Sequence, residues 1–321
     1  MKVIVKFFIL LYLLFVLSSC YKVTEPSYTG YLSIINSDGS NYSRLSSEYK
    51  FSFSISPNEE YIVGEMEHST MWIMNTTGEI EAMYDFDLSG DKKVSFSADS
   101  EYFYFSSSVN NNSDIYSLNV IDGNVVQFTD TNGIIEASPK LNQTNNLLLY
   151  TKRYIDTHEQ SIVIRDLLAN TEESIISDTL QNGNAFLNVS WSQDKIIYNR
   201  LINDIGIFSI NSDGTENTKI IDLPIQQLSV KTGSSNFLYI YNGMIYNYDL
   251  LTGSNEELTF GRKAELSSDG SKLAFITDDF ELAIFDISTG TYDILKHNSE
   301  ISEIDISDSG NKIIFYEEIE N

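Results

Sequence analysis

Four side chains bound the chemistry open to this chain: one cysteine, Cys20, and three histidines, His68, His158 and His297. A histidine-bound metal needs ligands converging at short spacing, as in H-E-x-x-H or paired cysteines. Here the histidines stand about 90 and about 139 residues apart, and each reads as a surface or loop residue. A serine hydrolase needs its nucleophile on a sharp turn, commonly G-x-S-x-G, and no such segment occurs. Glycosidase carboxylates must face each other across a sugar. The neighbouring acids Glu59-Glu60, Glu256-Glu257 and Asp278-Asp279 read instead as solvated turn charges. Asp38, Asp122, Asp213 and Asp269 each precede glycine, a turn-forming pair, and neither an EF-hand pattern nor a glycine-rich phosphate loop is present. No catalytic residue, metal or cofactor is therefore expected.

Cys20 has another context. The opening segment MKVIVKFFILLYLLFVLSSC places Lys2 and Lys6 ahead of an apolar run, Phe7 to Leu17, followed by Ser18, Ser19 and the cysteine. That order makes an export leader, and the run is shorter than the roughly 18 residues a membrane span requires. Leu17-Ser18-Ser19-Cys20 resembles the lipoprotein box of bacterial envelope proteins. The resemblance implies loss of residues 1–19 and lipid on the Cys20 thiol. Residues 20–29 would then be a short tether on an extracytoplasmic protein held at a membrane. With its one cysteine consumed, the chain has no disulfide available, and a core must stabilise it.

Lysine and arginine number 20 against 46 aspartates and glutamates, a net charge of −26. Such a chain repels nucleic acid and anionic lipid and favours a basic partner. The acids are dispersed along the chain, as on a solubilised β surface. With 42% hydrophobic residues, one large domain can be filled.

The elements that must position any site are short. After residue 30, runs of Ile, Val, Phe, Tyr and Leu recur between Asp-Gly, Thr-Gly and Asn-rich turns, with no helical period. The segment Ala264–Leu295 reads as four strands joined by tight turns. Copies start at Ser54, Ser95 and Val189, and fainter ones cover 137–176 and 228–258. The anchor serines Ser56 and Ser97 stand about 41 residues apart, and Ser267 and Ser307 about 40. Six whole copies and two half-copies, Gly30–Leu45 and Ile304–Tyr316, predict an all-β propeller over residues 30–321. Seven four-stranded blades are expected, six being the alternative, with the terminal strands closing the ring and removing an exposed sheet edge. Ser268-Asp269-Gly270, Ile73-Met74-Asn75, Ile115-Tyr116 and Asn211-Ser212-Asp213-Gly214 fall at matching places in the unit, which resembles the TolB-type propeller repeat. In the family namesake an α/β domain precedes the propeller, whereas here Tyr21 to Tyr28 alone separate Cys20 from the first strand.

In such a blade the turns joining strands one to two and three to four share one face. The loops joining strands two to three and the links between blades share the other. The first set is short and uniform; the second varies, and binding concentrates on such loops. The segment from Lys152 to Gln160 reads as the longest charged loop and gathers Arg153, Tyr154, Asp156, His158 and Glu159, types common at recognition sites. Trp72 and Trp191 sit in apolar strand patterns and read as core rather than sugar platforms. The leading expectation is a monomeric, non-catalytic, lipid-anchored propeller that binds a protein or peptide through its variable face. The alternative is a carbohydrate-active propeller, glycan-binding or a metal-dependent lyase, since the three histidine loops would share that face.

Overall fold

The computed structural model describes residues 28–47, 52–66, 70–109, 112–142, 146–179, 186–202, 204–297 and 299–320. The leader, Cys20, the tether up to residue 27 and His68 lie outside the described residues. The rest forms seven four-stranded antiparallel sheets and, among the described residues, no helix.

Each blade is a meander that begins at the channel. Numbered along the chain, the strands of blade 1 lie within residues 53–84, of blade 2 within 95–127, of blade 5 within 227–260 and of blade 6 within 263–296, while blade 3 runs Ile134–Asn142, Leu147–Tyr154, Glu159–Asp166 and Thr171–Thr179. Blade 4 follows with Leu187–Ser192, Lys195–Arg200, Gly206–Asn211 and Thr218–Ile221. The first strands of successive blades neighbour one another around the axis. Blade 7 is composite: Glu300–Ile306 and Lys312–Glu320 supply its two inner strands, and Tyr28–Asn36 and Ser43–Ser46 its two outer ones. The seam is a nine-pair ladder from Tyr28 opposite Glu320 to Asn36 opposite Lys312.

The recurring serines act as clamps. The Ser267 hydroxyl donates to Asp269 Oδ1 at 2.6 Å and accepts from the Lys272 amide at 3.0 Å, and the Ser271 amide donates to the same carboxylate oxygen. Gly270 supplies the φ of +71° that the turn requires. Ser56 and Ser97 repeat this, accepting from the amides of Tyr61 and Tyr102. Their turns lack glycine, and Glu59 (φ 61°) and Ser100 (φ 62°) take the left-handed position.

Packing follows from strand alternation. Among the described residues there is one apolar cluster at each of the seven junctions between blades. Trp72 packs with Leu32, Ile34, Ile314 and Tyr316 where blade 1 meets blade 7. Trp191, Phe186 and Tyr198 pack with Leu149, Ile162 and Ile164 where blade 4 meets blade 3. Both tryptophans are fully buried, as their sequence context predicts, and Trp191 Nε1 donates to the Lys140 carbonyl at 3.1 Å.

Candidate functional site: a cavity on the loop face

The channel is closed by charge. Lys93 Nζ lies 2.8 Å from Glu265 Oε1, whose other oxygen accepts from the Ser229 hydroxyl at 2.6 Å. Lys231 Nζ lies 3.2 Å from Asp305 Oδ1, and Asp305 Oδ2 accepts from the Ile55 amide at 3.1 Å. Burial would push the Glu265 carboxyl up, but the ammonium groups of Lys93, Lys231 and Lys263 outweigh it and hold it at about 2. Burial opposes protonation of Lys93, yet Glu265 and Asp305 outweigh it and push the ammonium up. These groups satisfy one another and leave no nucleophile or proton-transfer partner free.

The face carrying the two-to-three turns and the inter-blade links is more open. A cavity of about 560 Å³ lies among blades 2, 3 and 4, lined in part by Ser89, Asn112, Ser138, Arg153, Gln160 and Asn188. A second, of about 410 Å³, adjoins it through Asp91, Asn188 and Val189 and reaches Lys140, Arg262 and Lys263 at the channel mouth.

Two backbone irregularities shape the larger cavity. In blade 3 the register shifts by one residue between Ala137 and Lys140, and in blade 4 between Leu187 and Ser190. Within these bulges Ser138 (φ 57°) and Asn188 (φ 48°) adopt left-handed conformations. A bulge bends its strand and re-aims side chains, and strained backbone of this kind clusters at binding sites. Here the bulges turn Ser138 and Asn188 into the cavity wall. The Ser138 hydroxyl accepts from the Asp91 amide at 3.2 Å, and Asn188 Nδ2 donates to Asn199 at 3.0 Å. Gln160 bonds both the amide and the carbonyl of Phe186.

Arg153 is the exception in this satisfied wall. It is half-buried and lines the cavity, yet its side chain has no ion pair or hydrogen bond among the described residues. The contrast is Arg200 of blade 4, which pairs with Asp178 and lies over the Phe186 ring at 5.6 Å. Cations gather here in a chain of net charge −26: Arg153, Lys93, Lys140, Arg262 and Lys263 line the two cavities, against the acids Asp91 and Glu265. Lys140 is held by Asp91 at 2.6 Å. On the same face, the two-to-three turns of blades 3 and 4 present Ile155, Leu201, Ile202 and Ile205, each 39–47% exposed and none of them part of the cavity lining.

The structure separates the five residues grouped by sequence. The expected loop from Lys152 to Gln160 is mostly strand: Leu147–Tyr154 runs through Arg153, Glu159–Asp166 starts at Glu159, and Ile155 to His158 alone form the turn. The His158 amide closes that turn on the Tyr154 carbonyl at 2.9 Å. Arg153 alone of the five lines the cavity, while Asp156 and His158 are exposed at the tip and Tyr154 and Glu159 are partly covered at the strand ends. Sequence reasoning passed over Gln160, Ser138 and Asn188; the breaks in alternation at Ser138-Pro139 and Asn188-Val189 were the available signals.

Glu136 stands behind the cavity wall. It is fully buried, neither carboxyl oxygen has a hydrogen-bond partner, and Lys152 Nζ lies 3.6 Å away. Burial pushes it up to about 7 against the pull of Thr129 and Lys152.

No protein-family model matches the chain, and no curated protein does. Solved structures match over nearly the whole chain. An oligogalacturonate lyase from Vibrio parahaemolyticus shares 12% identity at a TM-score of 0.64, covering 92% of this chain and 98% of the lyase. An oligogalacturonate lyase in complex with manganese shares 13% at 0.58, covering 93% and 92%. A protein assigned as TolB, from Agrobacterium tumefaciens, shares 13% at 0.53, covering 92% and 100%. The manganese of the second structure sets a fit test. Among the described residues no group of three His, Cys, Asp or Glu side chains could hold a metal. The described lining of the larger cavity includes neither histidine nor cysteine, His158 is on an exposed turn, and His297 Nδ1 is engaged by Glu281 at 2.6 Å. The described donor set does not fit such an ion. At these identities the likeness is one of fold: the chain is similar to propellers that include both lyases and a TolB-type protein.

Proposed function

We propose that this protein is a non-catalytic, lipid-anchored scaffold of the bacterial envelope, which binds a protein or peptide on the face that bears the Arg153 cavity. The observation that carries this reading is the composition of the cavity: hydroxyl and amide groups bonded within the protein and a guanidinium unpaired among the described residues, with exposed aliphatic turns on the same face. These groups recognise and orient; no base poised beside a nucleophile is among them.

The geometry supports an anchored role. Tyr28 opens its strand opposite Glu320, at the end of the seam that lies on the same face as the turn from Ile155 to His158. Seven residues separate Cys20 from Tyr28, so the eight Cα-to-Cα steps span at most about 28 Å. A lipid on Cys20 would hold the cavity toward the membrane and confine its ligands to those near the surface.

Affinity capture from detergent-solubilised membranes tests the reading, using the full chain lipidated at Cys20 beside a variant with Ile155, Leu201 and Ile202 changed to asparagine. The reading predicts a specific protein recovered by the first and lost with the second. Equal recovery by both, or an oligosaccharide shortened by the protein, overturns it and favours the carbohydrate-active alternative.

A further inference from the structure

We infer that the larger cavity is a receptor for a peptide C-terminus, with Arg153 holding the terminal carboxylate and the aliphatic turns of blades 3 and 4 taking the last side chains. This rests on the binding-face reading and gives it a ligand chemistry. An arginine presents a planar fork of donors that matches a carboxylate in two parallel hydrogen bonds. Arg153 is half-buried and its guanidinium forms no hydrogen bond or ion pair with a described residue, although the chain holds 46 acids. A cation so placed gains most from an anion that enters with the ligand.

Two further observations narrow the class. Among the described residues the cavity wall has no exposed aromatic ring: the one aromatic lining it, Phe186, is 1% exposed. A sugar ring would find no stacking platform there, whereas the turns of blades 3 and 4 on the same face expose Ile155, Leu201, Ile202 and Ile205, which suit aliphatic side chains. The second is charge. The chain as a whole, at −26, attracts basic partners, while the cavity and channel mouth gather cations. A peptide C-terminus meets both demands, since a chain of any net charge ends in one carboxylate. About 560 Å³ accommodates a few residues, within the usual range for ligand sites.

The test uses acetylated hexapeptides ending in two aliphatic residues, prepared as one pool with free C-termini and one with C-terminal amides. Binding to the full chain is measured by fluorescence polarisation for wild type, Arg153→Gln and Arg153→Lys. The inference predicts that wild type prefers the free-acid pool by roughly tenfold or more, the scale of a charge-assisted bidentate contact. Arg153→Gln should bring the ratio to about one, and Arg153→Lys should restore part of it. Arg153→Gln should unfold at the same temperature as wild type, because the side chain it replaces pairs with no described residue.

Equal binding of the two pools by wild type, or a preference that survives Arg153→Gln, overturns the carboxylate receptor and leaves the capture experiment free to stand. Binding of neither pool overturns it as well. Retention of oligogalacturonate by wild type but not by Arg153→Gln would keep an anion site at Arg153 and overturn the peptide class.

Discussion

Lys93 and Glu265 are 172 residues apart in sequence and 2.8 Å apart in space, joining the link that enters blade 2 to the innermost strand of blade 6 across the channel. Breaking such a pair leaves a charge stranded, whereas replacing both partners by apolar side chains removes the desolvation cost with the attraction. Lys93→Met should destabilise the fold by roughly 2–4 kcal/mol, toward the lower end because the lysine keeps 23% of its exposure. The double variant with Glu265→Met should recover most of that loss in denaturant titrations. Equal losses in the single and double variants would contradict the pairing.

Two of the buried carboxylates, Glu265 and Glu136, impose opposite pH dependences. Glu265 is held at about 2, so its contribution is present above the ordinary carboxylate range and is lost as pH falls from about 4.5 toward about 2. Glu136 is pushed up to about 7, so the folded state binds the extra proton and stability declines as pH rises from about 4.5 to about 7. Glu136→Gln should flatten that second slope and stabilise the protein at pH 8, by about 1–3 kcal/mol. An unchanged slope in chemical denaturation across this range would show that Glu136 does not titrate as its burial requires.

Gly64 and Trp72 are opposed in the ladder between the second and third strands of blade 1. A Cβ on Gly64 would lie 2.3 Å from Trp72 Cζ2, an overlap that the ring, buried between blades 1 and 7, has little room to relieve. Gly64→Ala should lower stability by about 1–3 kcal/mol. The thermal midpoint checks this, and no change would mean that the indole moves freely.

Ring closure depends on strands from both ends of the chain. Deleting Lys312–Glu320 removes the nine-pair ladder with Tyr28–Asn36 and bares Leu32, Ile34 and Ile35, all buried in the intact ring. An opened ring with two unpaired edges should aggregate as concentration rises. A monomeric, cooperatively folded product in sedimentation experiments would show that six blades suffice.

Most of the fold was legible because each blade repeats the same local physics. Ser56, Ser97, Ser267 and Ser307 recur as clamps of the first turn, and strand alternation places Trp72 and Trp191 in the packing between blades. Even the split seventh blade could be read, since its half-copies carry the same turn chemistry. The site was harder to see. Arg153 stood out by type, but its isolation from every described acid is a property of space. The bulges at Ser138 and Asn188 leave only a break in strand alternation in the sequence, and the Lys93–Glu265 pair has no local signal. The apparent loop around Arg153 became strand because Lys152 pairs in register with Ser161 and Glu136, and Arg153 with Gln160 and Ile135.

The most direct test of the proposed binding face is photocrosslinking from the full chain, expressed with its leader, in membranes. A benzophenone side chain would be placed at Ile202, on the cavity face, and in a second protein at Leu251, an exposed turn on the opposite face. The account predicts a discrete protein adduct from position 202 and none from position 251. The same adduct from 251, with none from 202, would contradict it and move the interaction to the face of short turns.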